Sequence, residues 1–267
     1  MKFYLNMRKP FLIIFMLLGF CVSHGASVME RTTLKVKDYD EFYLTGAVNT
    51  KMVYHPDSVG VVVITCPKAD YSNFKLSHTG TALNIRYESR QAPAPGTSLT
   101  VYAPAVMRVI SQTGSATLSV SGLHEAQNLN VMLTGSGNIE LFNGVARTLR
   151  VFLTGSGNIK LEGNTDAETI SLENTGSGTI KVPSVAAKNV SATLSGSGNV
   201  TVGGNCTGRT MLALRGSGKI NASALRNKTL KASAYGSGTI DIHDTAGADL
   251  RGRTDNIKTV KAFLNNE

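Results

Sequence analysis

The chain has no tryptophan, and aromatic residues make up 6% of its 267 positions. That scarcity argues against a thick globular core. It also removes the rows of exposed rings on which nucleic-acid and sugar binders stack their ligands. Phe142, Phe152 and Tyr235 are the only aromatics between Gly135 and Ile242. Charged residues are sparse too, at 17%, and the basic ones there (Arg150, Lys160, Lys181, Lys219, Lys231) are scattered rather than clustered with aromatics. Nucleic acid is therefore excluded as a partner, while an acidic glycan or anionic envelope surface is a milder attraction. Cysteine is nearly absent. Beyond Cys21 there are only Cys66 and Cys206, and a bond between them would need distant segments within about 7 Å at Cα. No disulfide is expected, and Cys206 reads as a buried free thiol in an inward column with Val145 and Leu225.

Long apolar runs are missing except at the start. Phe11 to Phe20 is ten residues long, too short to span a bilayer. With Lys2, Arg8 and Lys9 before it and Ser23, Gly25 and Ala26 after it, the stretch reads as a secretory signal over residues 1–26, cut after Gly25 or Ala26. Cys21 invites a lipoprotein reading, but Phe20 stands where such sites want a small residue. Removal of this segment leaves 24 basic against 18 acidic residues, a net +6. No other segment could cross a membrane, and no stretch of the mature chain argues for a substantial helix. Exported locations follow: periplasm, outer-membrane surface or the extracellular space.

Glycine is abundant, and it is periodic. Gly-Ser-Gly begins at Gly135, Gly155, Gly176, Gly196, Gly216 and Gly236, an even spacing in which one interval is a single residue longer than the rest. A degenerate copy, Gly114-Ser115-Ala116, lies one period before the first. Each copy sits between alternating segments: Leu129, Val131 and Leu133 before the first, Ile139 and Leu141 after it. Period-two alternation means strands with one buried face, and a repeat this short must stack on its neighbours to bury that face. About 20 residues at roughly 3.3 Å each make one coil of three short strands and their corners, with successive coils paired about 4.8 Å apart. The expected fold is all-β, a right-handed parallel β-helix. Its corner is built from Gly135, Gly137, Gly155, Gly157, Gly176, Gly178, Gly196, Gly198, Gly216, Gly218, Gly236 and Gly238. If alternation runs through the corner, both glycines of each copy point inward and the serines point outward in a column. Asn138, Asn158 and Asn199 stack beside them.

From residue 27 to 105 the repeat is not visible. Strand patterns and turn signals are, and this part reads as a strand-rich cap on the 106–267 repeat part of the same domain. Asn256 to Leu264 reads as a final partial strand whose Lys258 and Lys261 discourage edge pairing. Val36-Lys37-Asp38-Tyr39-Asp40-Glu41-Phe42, Leu44-Thr45-Gly46, Leu83-Asn84-Ile85 and the repeated Thr-Gly-Ser-Gly-Asn-Ile of residues 134–139 and 154–159 carry a family resemblance. Over roughly residues 36–240 the chain resembles the head GIN domain of putative auto-transporter adhesins. The resemblance implies a β-helix and a role in adhesion. Residues after Leu250 cannot build a translocating barrel, so self-export does not follow from it.

Catalytic constellations are also lacking. A phosphate loop needs G-x-G-x-x-G and a following helix, whereas strands flank Gly-Ser-Gly on both sides. Glycoside cleavage needs two carboxylates about 5–10 Å apart, and the outer column Glu140, Lys160, Lys181, Thr201, Asn221, Asp241 offers no adjacent pair. Asp241 and His243 are the one weak candidate surface site, sharing an outer face around the inward Ile242; a solvated pair is the simpler reading. No catalytic, metal or cofactor site is assigned. The sequence reads as a non-enzymatic adhesin or structural module of the cell envelope, its ligand a glycan or protein. The alternatives are a dedicated glycan-binding module and, further off, a polysaccharide-active enzyme.

Overall fold

The computed structural model describes residues 28–124, 126–144, 146–244 and 247–259, with the backbone of Ile14–Phe15. The cleavage positions of the signal segment, Cys21, Val145 and Lys261 lie outside the described residues. The chain forms a β-solenoid of coils of about 20 residues. One face of the stack is made by the strands leading into each Gly-Ser-Gly, among them Ala126–Gly135, Ala146–Gly155 and Thr165–Gly176. Their register is column on column: Thr134 pairs with Thr154, which pairs with Thr175, and Gly135, Gly155, Gly176, Gly196 and Gly216 run in one line. The second face follows the corner, where Asn138, Asn158, Thr179, Asn199, Lys219 and Thr239 stack in turn. The third is short; its column is Thr165, Val185, Gly204 and Leu225.

Alternation gives this arrangement its interior. Leu129, Val131 and Leu133 are buried, and the Ile139, Ile159, Ile180, Val200, Ile220 and Ile240 column is almost wholly shielded from water. Each such side chain contributes about 1.5–3 kcal/mol of burial energy. β-branched residues suit a pleated, half-buried surface, and Ile and Val fill every position of that second column, from Ile139 to Ile240. The buried aromatics, Tyr39, Phe42, Phe74 and Tyr87, all belong to the N-terminal part.

The corner differs in detail from simple alternation. The first glycine of each copy has φ between +115° and +145°, a region that L side chains rarely adopt. A Cβ on Gly135 would not point into the core but along the stack, 2.7 Å from the carbonyl oxygen of Gly114. The second glycine is the buried one. Its φ is ordinary, yet a Cβ on Gly178 would crowd the Gly157 carbonyl and lie 2.8 Å from Leu153 Cδ2. Serines 136, 156, 177, 197, 217 and 237 are exposed, as expected. In the neighbouring column Asn158 Nδ2 donates to Asn138 Oδ1 at 2.9 Å and Asn138 Nδ2 to Thr117 Oγ1 at 3.4 Å.

The N-terminal part holds a coil that the glycine period does not reveal. Glu41–Gly46 pairs in parallel with both Val109–Gly114 and Ala82–Tyr87, and Thr50–Tyr54 with both Thr117–Ser121 and Ser98–Ala103. Gly46 joins the glycine column, with φ +121° and its carbonyl accepting from Ser115 N at 3.2 Å. The coil at 41–54 is therefore sandwiched, and residues 82–103, later in sequence, lie outside it. Antiparallel strands finish this end: Phe74–Thr79 on Ala82–Tyr87, Val61–Pro67 on Ser98–Ala103, and Met29–Lys35 on Val61–Pro67. At the other end Asn256 Nδ2 donates to Gly236 O at 3.1 Å, and the last described strand is Ile257–Thr259. Among the described residues no helix is long and apolar enough to cross a membrane.

Candidate ligand-binding surface

At five of the six Gly-Ser-Gly corners the N–H groups of the serine and the second glycine are both bonded to the preceding coil and are not free for an anion. Gly135 O accepts from both Ser156 N and Gly157 N at 3.0 Å, and Gly155 O from Ser177 N and Gly178 N at the same distance. The pattern repeats at Gly176 and Gly196. The N–H groups that would cradle a phosphate in a nucleotide loop instead close the ladder between coils.

Asp241 and His243 do not form an open pair. Asp241 is 8% exposed, and Lys219 Nζ lies 2.6 Å from its Oδ2. His243 is half-buried on the next outward position. Carboxylates elsewhere on this face are engaged as well: Glu140 Oε2 accepts from Ser119 Oγ at 3.2 Å, and Glu162 pairs with Lys160. Among the described residues no group of three His, Cys, Asp or Glu side chains could hold a metal ion.

A second polar cluster locks the sandwiched coil. Arg108 Nε and Nη2 donate to Asp40 Oδ2 and Oδ1 at 2.6 and 3.2 Å; Nη2 also reaches Glu41 Oε1 at 2.7 Å and Thr81 Oγ1 at 3.3 Å. One guanidinium thus ties together the entries to three stacked strands. Its hydrogen bond to Asp40 holds that carboxyl below the usual carboxylate range. Asp40 and Glu41 stand in the stretch that carries the family resemblance, but spacing alone does not connect them to a residue 68 positions away.

Both described cysteines are free and buried. Burial first, then the charges of Asp70 and Glu30, push the Cys66 thiol up. Cys206 is inward as expected but in a different column: it pairs with Ala187 and Asn227, whereas Leu225 pairs with Gly204. Its Sγ lies 3.4 Å from both Lys188 O and Arg209 O, beneath a register shift between Cys206 and Arg209. The bulge there kinks the corner between the third and first faces. A bulge of this kind re-aims the side chains that follow it.

That corner carries a shallow surface groove. Thr169, Asn189, Arg209 and Thr229 stand in one axial column. Together with Ser191 and Met211 they line a shallow groove of about 560 Å³, continued by a hollow of about 340 Å³ that reaches Lys231. Lys188, Arg226 and Lys228 are exposed beside it. The signal for this surface is in the sequence as an absence. No Asp or Glu occurs between Glu173 and Asp241, while eight Lys or Arg do. The basic residues read as scattered because the eye follows their spacing along the chain rather than the acids missing between them.

With this geometry in hand, a profile for the family described as "Putative auto-transporter adhesin, head GIN domain" matches residues 38–173 and again 153–255. The overlap is natural for a repeat, which can be laid on itself displaced by whole coils. The fold is similar to the crystal structure of a putative adhesin from Bacteroides fragilis (21% identity, 88% of this chain and 95% of that one, TM-score 0.66). It is also similar to a putative adhesin from Parabacteroides merdae (15%, 87% and 96%, TM-score 0.67) and to a putative lipid binding protein from Parabacteroides distasonis (18%, 84% and 97%, TM-score 0.60). No curated protein matches.

Proposed function

The chain belongs to the head GIN domain family of putative auto-transporter adhesins, and from that premise we propose that it is an exported, non-enzymatic binding module of the cell envelope. Residues 1–26 act as the signal segment; residues 27–105 and 106–267 form one unit, with the Gly-Ser-Gly corners as scaffold. The observation that carries the reading is the division of labour between interior and surface. Corner N–H groups are consumed by the ladder, while the outer columns present polar side chains at fixed spacing and a groove free of acids. The engagement of Glu140, Glu162 and Asp241 supports binding over hydrolysis, since a general acid–base pair needs two carboxylates poised at a bond. Fractionation of the producing cells, with intact-mass measurement and protease treatment of whole cells, tests the proposal. The expected result is an envelope-associated protein whose mass lacks the segment ending at Gly25 or Ala26. A cytosolic protein that retains that segment refutes it.

A further inference from the structure

We propose that the groove at the corner of the third and first faces binds an acidic polysaccharide, with Arg209 as its central anchor; this rests on the binding-module reading above. Charge selects the ligand. Lys188, Arg209, Arg226 and Lys228 form no ion pair with any described residue, and two acids on the adjoining coils, Glu168 and Asp249, are already paired with Arg147 and with Lys231 and Arg251. A surface with one sign of charge concentrates ligands of the other. The groove floor adds hydroxyls and an amide from Thr169, Asn189, Ser191 and Thr229, donors and acceptors suited to sugar hydroxyls. Arg209 presents a planar fork that matches a carboxylate or sulfate two bonds at a time.

Geometry selects a chain over a sheet of headgroups. Lys188, Arg209 and Lys228 belong to three successive coils, the two lysines one position before the column of Asn189, Arg209 and Thr229, so cations recur in a staggered line with axial steps of about 4.8 Å. A linear polymer with an anionic group on successive sugars can run along such a row. A membrane would require apolar side chains to insert, and Met211 is the one exposed large hydrophobic lining the groove. The scarcity of exposed aromatics, which counts against a neutral sugar held by stacking, does not count against one held by its charges.

The test uses the full chain with four probes: polygalacturonate, chondroitin sulfate, neutral dextran and phosphatidylglycerol vesicles. Binding is measured by calorimetry or interferometry at two salt concentrations. Two variants change net charge equally: Arg209→Glu in the groove and Lys181→Glu on the second face. The expected result is salt-sensitive binding of at least one acidic polysaccharide, none of dextran, a loss of about tenfold or more in Arg209→Glu and less than about twofold in Lys181→Glu. Equal losses in the two variants, preference for vesicles, or no binding of either acidic polymer overturns the assignment. Melting temperatures equal to wild type exclude misfolding of the variants; should Arg209→Glu not fold, Lys228→Glu takes its place. The envelope location is measured separately, so a protein that reaches the envelope and ignores acidic polymers defeats only this inference, and one that binds them from the cytosol defeats only the location.

Discussion

Replacing Gly176 by valine tests the corner where it is most constrained. Gly176 has φ +145°, and a non-glycine residue held there costs about 1–3 kcal/mol. Its Cβ would sit inside the contact distance of Gly155 O and at 3.0 and 3.1 Å from Gly155 N and C. Those atoms are backbone and cannot rotate away. Overpacking of this kind costs about 1–3 kcal/mol more. The same carbonyl accepts from Ser177 N and Gly178 N, both at 3.0 Å, and forcing the coils apart weakens two bonds worth about 1 kcal/mol each. The total is about 4–8 kcal/mol, against about 5–15 kcal/mol for a typical domain. Ser177→Ala removes an exposed hydroxyl and is expected to fall within about 0.5 kcal/mol of wild type. At about 2–4 °C per kcal/mol for a chain of this size, the valine variant should melt at least 8 °C below the alanine variant, if it folds at all. Thermal unfolding followed by circular dichroism in the strand band reads this directly. Melting temperatures within about 2 °C of each other refute the scaffold reading. Lost ligand binding in a normally stable Ser177→Ala protein would make the corner a site instead.

Other expectations follow from neighbouring features. Arg108→Gln should lower the melting temperature at neutral pH. Because the bonded Asp40 carboxyl sits below its unfolded value, the stability it brings is present above about pH 4 and is lost as pH falls through the lower folded value. The gap between variant and wild type should therefore close on acidification, and a gap that widens would contradict the clamp. Cys66 and Cys206 are buried, so a thiol reagent should reach them only at the rate of unfolding, as mapped by peptide mass; rapid labelling of Cys206 would mean that the bulge above it opens. Circular dichroism of the mature protein should show strand without a substantial helical fraction.

The C-terminal coils are legible because each obeys one local rule. Alternation, together with a glycine pair recurring once per coil, is enough to place every inward leucine and isoleucine. The coil at 41–54 escapes that rule for a physical reason. Its corner is Thr45-Gly46-Ala47, and its neighbours in space, 82–103 and 109–121, follow it across an intervening pair of antiparallel strands. Period is a property of sequence, whereas stacking is a property of space, and here the two part. Asp241 escapes similarly. Alternation assigns it to the outer face, but it lies between Asn221 and Lys258 of the neighbouring coils and is paired with Lys219, contacts that spacing alone does not show. Alternation misplaces the first glycine of each corner because it assumes extended backbone, and a positive φ turns the missing Cβ toward the adjacent coil.

The order of the N-terminal coils bears on how such a fold would resist a pull. A solenoid pulled from a free end peels, giving up one coil at a time against a single row of bonds. Tension entering at residue 28 reaches Met29–Lys35 first, and next the coil at 41–54, which is bonded on both sides. That coil cannot be peeled away. It must be slid out between two neighbours, with both rows giving way together. The outermost coil, residues 82–103, is held at both its ends by continuing chain and offers no loose end to pull. A tether attached at the N-terminus would meet its greatest resistance at the start of extension, and the plain coils beyond Ser121 would yield only after it.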